Sequence, residues 1–306
     1  MDAAVFTLEV GGAVEKPLRL SIGDLHALPK TTMAATFECA GNGRALLQPR
    51  PVSQPWLTEA VGTAEWAGTP LRPLLDEAGV GEGAVEALFT GLDHGLEGGA
   101  PQAYERSLPI ADVADALLAY EMNGAPLPPQ HGFPLRLIVP GWYGMTNVKW
   151  LARVTLLEQA FDGYQNSVAY RMYDADGEPG EPLTLMLPRS LMVPPGVPDF
   201  MTRRRFVAPG PLTLRGRAWS GFGRVERVEV STDGGESFQD ATLDEPVGAA
   251  AWRGWRYAWD APPGEFELCS RATDAAGNRQ PLAPPWNLKG YANNAVDRIP
   301  VEVAVS

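Results

Sequence analysis

Apolar and polar residues alternate over VFTLEV (5–10), the spacing of a half-buried strand, and the glycine pair behind it marks a turn. Leu71, Leu74, Leu75 and Ala78 recur instead at helical spacing just after Pro70, and Gly79 stops them, so a short helix is predicted there. The run IADVADALLAYEM (110–122) also carries helical periodicity and ends at Asn123-Gly124. Two strand-like runs follow, FPLRLIVPG (133–141) and VKWLARVTLL (148–157). Strands interleaved with short helices in this order predict an α+β first half.

A proline-rich stretch from Pro179 through PGVPDF (195–200) separates that half from one of a different kind. Beyond it only strands are predicted: LTLRGRAW (212–219), VERVEVSTDGG (225–235), WRGWRYAW (252–259) and FELCSRATDAAGN (266–278). Turn signals such as Asp233-Gly234 recur between them. Short alternating strands with that punctuation predict an immunoglobulin-like sandwich. The expected division is therefore a first domain over 1–185 and a second over 186–306, with no internal repeat.

Glycine and proline supply 33 and 29 of the 306 residues, which favours turns and short strands over a helical bundle. Twenty-five basic residues against 37 acidic ones leave a formal net charge of −12, a field that repels nucleic acid unless a local basic patch overrides it. Two cysteines, Cys39 and Cys269, exclude a disulfide scaffold and a four-cysteine metal site. No apolar run approaches the roughly 20 residues that span a bilayer. The opening MDAAVFTLEVGG has neither the basic nor the apolar region of a signal peptide. The compartment is thus left open, cytoplasmic as written and periplasmic where a leader has been removed.

The common catalytic signatures are absent. GVGEGA (79–84) nominally fits a dinucleotide fingerprint but follows a helix where a strand is required, and there is no Walker A sequence, nucleophile elbow or haem-attachment motif. What remains is TFECAGNGR (36–44), in which a cysteine leaves a β-like run and enters a turn of Ala40, Gly41, Asn42 and Gly43. Glycine and asparagine accept positive φ, so backbone N–H groups can gather around whatever the sulfur binds, and the adjacent Arg44 favours a thiolate. The ordinary alternative is a buried free cysteine beside an unremarkable turn. Spacing alone does not decide between them.

ECAGNGR resembles the CAGNRR signature of the sulfite oxidase family, and the resemblance extends along nearly the whole chain. YEMNGAPLPPQHGFPLRLIVPGWYGMTNVKWLARV (120–154) resembles the family's long cofactor-binding stretch, and AEWAGTPLRPLLDEAG (64–79) and FTGLDHG (89–95) fit as well. LRGRAWSG (214–221), VEVSTDGGESF (228–238) and PPWNLKGYANNAVDRIPVEV (284–303) resemble its immunoglobulin-like dimerisation domain. The resemblance implies a sulfite-oxidase-type molybdopterin domain followed by an all-β immunoglobulin-like domain, a molybdenum-molybdopterin cofactor and a homodimer. It implies that Cys39 ligates molybdenum, a soft donor for that metal. It implies that His131, Arg136 and Lys149 contact the pterin and its phosphate, and that Asp93, Asn147 and Val148 line the cofactor. Tyr170 matches the family's active-site tyrosine, with Tyr173 in the same SVAYRMY segment as its competitor. Trp56, Arg44 and Lys289 match positions around the substrate anion. Cys269, on a predicted strand with no motif beside it, reads as core.

There are departures from the pattern. The family places an arginine-bearing segment ahead of the first strand, and nothing equivalent precedes VFTLEV here. Gly43 stands where the signature has its first arginine, and Lys289 stands where a second-domain arginine faces the pocket, a point charge that cannot clamp bidentately. The leading expectation is a molybdenum oxidoreductase that converts sulfite to sulfate and passes electrons to an external acceptor such as a cytochrome. The alternatives are a sulfane dehydrogenase-like enzyme, toward which GWYGMTNVKW and ERSLP (105–109) lean, a sulfoxide or oxyanion reductase, and a non-catalytic pterin-binding or protein-interaction module.

Overall fold

The computed structural model describes residues 2–304, and the chain packs into two compact units. The first comprises residues 2–35 and Ala64–Thr184, the second Thr36–Thr63 with residues 185–304. The second segment of the first unit ends at Thr184. Thr36–Thr63, by contrast, packs with the second unit, a long-range association that no local pattern reports.

The first unit contains a five-stranded sheet in the order Leu18–Ser21, Thr7–Gly12, Leu151–Leu157, Glu86–Glu97, Ala100–Pro109. Its one parallel pair joins Thr7–Gly12 to Leu151–Leu157, and the other pairs are antiparallel. A second sheet pairs Val61–Pro70 with Leu117–Met122, which also carries Ala125–Pro126 and Arg136–Ile138. Thr31–Glu38 lies on the outer edge of Val61–Pro70, and these two strands take the chain out to residues 36–63 and back. The helix predicted after Pro70 is present as Leu71–Ala78 and buries all four residues of its apolar stripe.

The helix expected over 110–122 is corrected. Ile110–Val113 forms a single 3-10 turn, and Leu117–Met122 is a strand. Leu117, Leu118, Ala119 and Tyr120 are all buried because the strand has partners on both edges, so its continuous apolar run imitates a helical stripe. The run at 133–141 contributes only the short strand Arg136–Ile138, and that at 148–157 begins at Leu151, after Trp150 takes φ 51°.

In the second unit a four-stranded sheet (Arg189–Met192, Gly210–Trp219, Arg253–Ala261, Thr242–Leu243) and a six-stranded one share a single apolar core. The six-stranded sheet is centred on Gly264–Asp274, paired with Val225–Ser231 and Ile299–Val303. Leu214, Trp255 and Trp259 from the first sheet meet Val228, Val230, Leu268 and Val301 from the second. Cys269 is fully buried on Gly264–Asp274, as its strand position predicts. Among the described residues no helix is long and apolar enough to cross a membrane.

Candidate cofactor site

The predicted site residues fall into two sets, one carried by each unit. Cys39, Arg44, Trp56 and Lys289 lie in the second unit, and Asp93, His131, Arg136, Asn147, Val148, Lys149 and Tyr170 lie in the first.

The strand Thr31–Glu38 ends one residue before Cys39, whose side chain is exposed, so the buried-cysteine alternative does not hold. The backbone around it is tied down: Cys39 N–H donates to Ala60 O at 2.9 Å, and Cys39 O accepts from Asn42 N–H at 2.9 Å. Ala292 N–H donates to Ala40 O at 2.8 Å. Gly43 adopts φ 82°, and a Cβ there would sit 3.1 Å from the Arg189 guanidinium, which accounts for glycine where the signature has arginine. Arg44 is 5% exposed and its guanidinium is committed to the loop. It donates through Nε to Lys289 O at 2.6 Å and through Nη1 to Ser53 Oγ at 2.9 Å and Gln54 O at 3.2 Å, and it lies 5.0 Å from the Tyr291 ring centre. Trp56 is exposed on the same loop, its carbonyl accepting from Ala45 N–H. Lys289 is half-buried, and that burial lowers its ammonium pKa.

In the first unit Asp93, Tyr104, Arg136, Met145, Asn147 and Lys149 line a cavity of about 240 Å³. Arg136 is 5% exposed and packs over the Trp66 ring at 4.7 Å. It donates to His131 O at 2.9 Å and to Asn147 O at 3.1 Å. Burial pulls its pKa down to about 10. Lys149 is lowered by burial and then by Arg136, and His131 by burial and then by both neighbours. Burial disfavours the charged form of all three basic groups, and Arg136 adds to this at Lys149 and His131, an arrangement that an anion in the cavity would relieve. Asp93 is raised by its own burial although Lys149 opposes this, and its Oδ1 is buried with no partner among the described residues. Glycines set the spacing: Gly132 takes φ 104°, and a Cβ there would lie 3.0 Å from Lys149 Cβ and 3.1 Å from Arg136 Cβ.

The remaining sequence candidates are placed less simply. Asn147 lines the cavity, but its side chain accepts from Val139 N–H at 2.7 Å and donates to Tyr143 O, so it braces the wall. Val148 is fully buried, with its N–H given to Thr146 O and its C=O accepting from Leu137. Tyr170 follows the π-helical turn Gln165–Ala169, and Tyr173 spends its hydroxyl on Val168 O. Sequence reasoning missed Tyr104 and Arg106. Alternation along Ala100–Pro109 puts them on one face, and that period was the available signal. Tyr104 donates to Met145 O at 2.6 Å, and burial, then Tyr170, hold its phenol well above its ordinary pKa. The buried Arg106 guanidinium lies 5.6 Å from the Tyr170 ring centre. Asp93 and Tyr104 also line an adjoining cavity of about 140 Å³ that ends at Gln165 and Glu97.

An exposed thiol on a rigid turn offers a soft donor to a metal, and a cation-lined cavity in a chain of net charge −12 offers a seat to a phosphate. The class so defined is a protein that carries an anionic, metal-bearing cofactor. Residues 1–165 match the family described as an oxidoreductase molybdopterin binding domain, and residues 189–304 match the Mo-co oxidoreductase dimerisation domain. Human mitochondrial sulfite oxidase is 39% identical over 331 residues, covering 99% of this chain and 59% of that protein. A tobacco NADH nitrate reductase is 32% identical, covering 97% of this chain and 36% of that protein. The sulfane dehydrogenase SoxCD of Paracoccus pantotrophus superposes with a TM-score of 0.86 at 30% identity, covering all of this chain and 79% of that one. This chain belongs to the sulfite oxidase family of molybdopterin oxidoreductases, whose cofactor is molybdenum-molybdopterin. It spans 59% of the length of the human relative.

Proposed function

We propose that the chain oxidises sulfite to sulfate. In that reaction sulfite and water give sulfate, two protons and two electrons, and the electrons leave to an external acceptor, for which a cytochrome is suited. What carries the reading is Cys39, which stands at the family's metal-ligating position, exposed on a turn whose backbone groups are hydrogen-bonded on both sides. When bound, the molybdenum supplies oxygen-atom transfer coupled to two-electron redox chemistry. The protein's residues do the rest. Cys39 Sγ holds the metal. Arg136, Lys149 and His131 neutralise the pterin phosphate, while Asp93, Asn147 and Val148 shape the surrounding wall. Lys289 and Trp56 orient the substrate anion, and Arg44 holds their loop in place through Lys289 O. Tyr170 donates a hydrogen bond to the reacting oxygens. The molybdopterin domain is read over residues 1–185 of the sequence, of which Thr36–Thr63 packs with the second unit. Residues 186–306 form an immunoglobulin-like sandwich through which two copies pair, a reading supported by the dimerisation-domain match.

A second reading, oxidation of a sulfane sulfur, is favoured by the likeness to the sulfane dehydrogenase structure and by Lys289 in place of arginine. Ferricyanide reduction by molybdenum-loaded protein separates the two. Turnover at micromolar sulfite supports the first, and turnover with thiosulfate but not sulfite replaces it with the second. Cys39→Ser is expected to abolish turnover while leaving the circular dichroism spectrum unchanged, because a hydroxyl is a poor ligand for a soft metal. An active serine variant refutes the assignment of Cys39.

A further inference from the structure

Behind the Cys39 turn lies a pair of charges that a stability argument does not explain. The side chains of Glu38 and Arg189 are 4% and 0% exposed, and their ion pair spans 3.2 Å across 151 residues of sequence. Three donors converge on the two carboxylate oxygens. Asn42 Nδ2 donates to Oε1 at 2.8 Å, Arg189 Nη1 shares the same oxygen, and Trp219 Nε1 donates to Oε2 at 2.9 Å. Arg189 Nη1 also donates to Asn293 O at 2.8 Å and to Asn42 O at 3.3 Å, while Asn293 Nδ2 donates to Gly43 O at 2.8 Å. Asn42 Oδ1 accepts from Ala60 N–H, the residue whose carbonyl holds Cys39 N–H. The network therefore grips the turn at residues 38, 42 and 43, immediately around the exposed sulfur.

Buried ion pairs seldom add net stability, because desolvation offsets their attraction. This one is also incompletely satisfied: Arg189 Nε is buried without a partner among the described residues, and so is Oδ2 of Asp297, whose Oδ1 lies 3.5 Å from Arg189 Nη2. Its effect is better sought in conformation. A carboxylate is needed, since a neutral amide in its place would turn its own N–H groups toward one of the three donors. A planar guanidinium is needed too: Nη1 serves Glu38 Oε1, Asn42 O and Asn293 O while Nη2 lies 3.5 Å from Asp297 Oδ1, and a single ammonium nitrogen cannot occupy both places.

We propose that Glu38 and Arg189 are positioning residues for the Cys39 thiolate, locking the turn so that Sγ is held in its metal-binding orientation before the cofactor arrives. The proposal rests on the reading of Cys39 as the molybdenum ligand. Partners that orient metal ligands commonly change affinity or activity by about tenfold or more when replaced.

The test compares wild type with Glu38→Gln, Arg189→Lys and Cys39→Ser by two measurements that need no substrate. The first is the Mo(V) electron paramagnetic resonance spectrum of holoenzyme reduced with dithionite. The second is the rate of iodoacetamide alkylation in cofactor-free protein, which reports Cys39 because Cys269 is buried. Glu38→Gln and Arg189→Lys are expected to shift or broaden the Mo(V) spectrum, to lose molybdenum about tenfold faster on dialysis, and to change the alkylation rate. Where one of the two fails to fold, the other carries the test; should both fail, Glu38→Asp, which keeps the charge, replaces them. A folded variant with a wild-type spectrum, metal retention and alkylation rate overturns the proposal. A wild-type spectrum in Cys39→Ser overturns the ligand assignment instead, so the two failures are told apart.

Discussion

Replacing Arg136 by methionine separates a cation that serves a ligand from one that serves the fold. In cofactor-free protein, burial pulls the guanidinium pKa down to about 10. At about 1.4 kcal/mol per pH unit, holding that charge costs about 3 kcal/mol. The bonds to His131 O and Asn147 O return about 1.5–3 kcal/mol each. Methionine removes both the cost and the bonds, so the net change in stability should stay within about 3 kcal/mol, a shift of less than about 10 °C in Tm. With a phosphate in the cavity the balance differs. Removing one partner of a buried charge-assisted pair costs about 2–5 kcal/mol, or about 30-fold to several thousandfold in affinity. The assay is pterin content after gel filtration, measured beside thermal unfolding of the cofactor-free forms. Arg136→Met should lose most of its pterin while melting within about 10 °C of wild type. Wild-type pterin content would refute the role at the phosphate. A drop of more than about 10 °C in the cofactor-free protein would show that the charge serves the fold.

Two further outcomes follow from the same cavity. Gly132→Ala forces a side chain onto φ 104° and into Arg136 and Lys149, whereas Gly124→Ala meets φ 75° with open space around it. Both should lose about 1–3 kcal/mol in thermal unfolding, but only Gly132→Ala should lose cofactor, and equal pterin contents would remove the argument that glycine sets the cation spacing. His131 has its pKa lowered by burial, then by Arg136 and Lys149, so below its ordinary value of 6.5 the folded state binds fewer protons than the unfolded one. Stability should therefore fall as pH drops through 6.5, and less steeply in His131→Gln; identical pH dependence of Tm in the two proteins would show that the imidazole is not held neutral.

The parts of the fold legible in the sequence are those in which one face is buried and the other wet. Leu71–Ala78 shows its stripe because the helix lies on the surface, and Gly210–Trp219 alternates because one of its faces meets solvent. Leu117–Met122 was not legible because its four leading residues are all buried, which erases the period that distinguishes strand from helix. Of the candidate site, the Cys39 turn stands out as a short motif, while the cation positions are singled out only by the family resemblance. Glu38 and Arg189 do not stand out: their meaning depends on a contact across 151 residues, and each alone reads as an ordinary surface charge. Tyr104 and Arg106 fall between, visible by alternation once the strand is known.

Net charge misleads at the scale of the whole chain and informs at the scale of the cavity. An acidic surface repels anions at long range, but that field is screened within about 8–10 Å at physiological ionic strength, whereas the seat of an anion is decided within a few ångströms by groups withdrawn from water. Arg136, Lys149 and His131 each have their charged form disfavoured in the bare protein, by burial first and by their like-charged neighbours where these act. A dianionic phosphate among them would offset these penalties, because each cation would then face an opposite charge. Strain of this kind in the free protein becomes selectivity in the bound one: a neutral ligand of the same shape relieves none of it. The cavity is therefore expected to discriminate by charge before it discriminates by shape, and to prefer a phosphate to a neutral group of the same size.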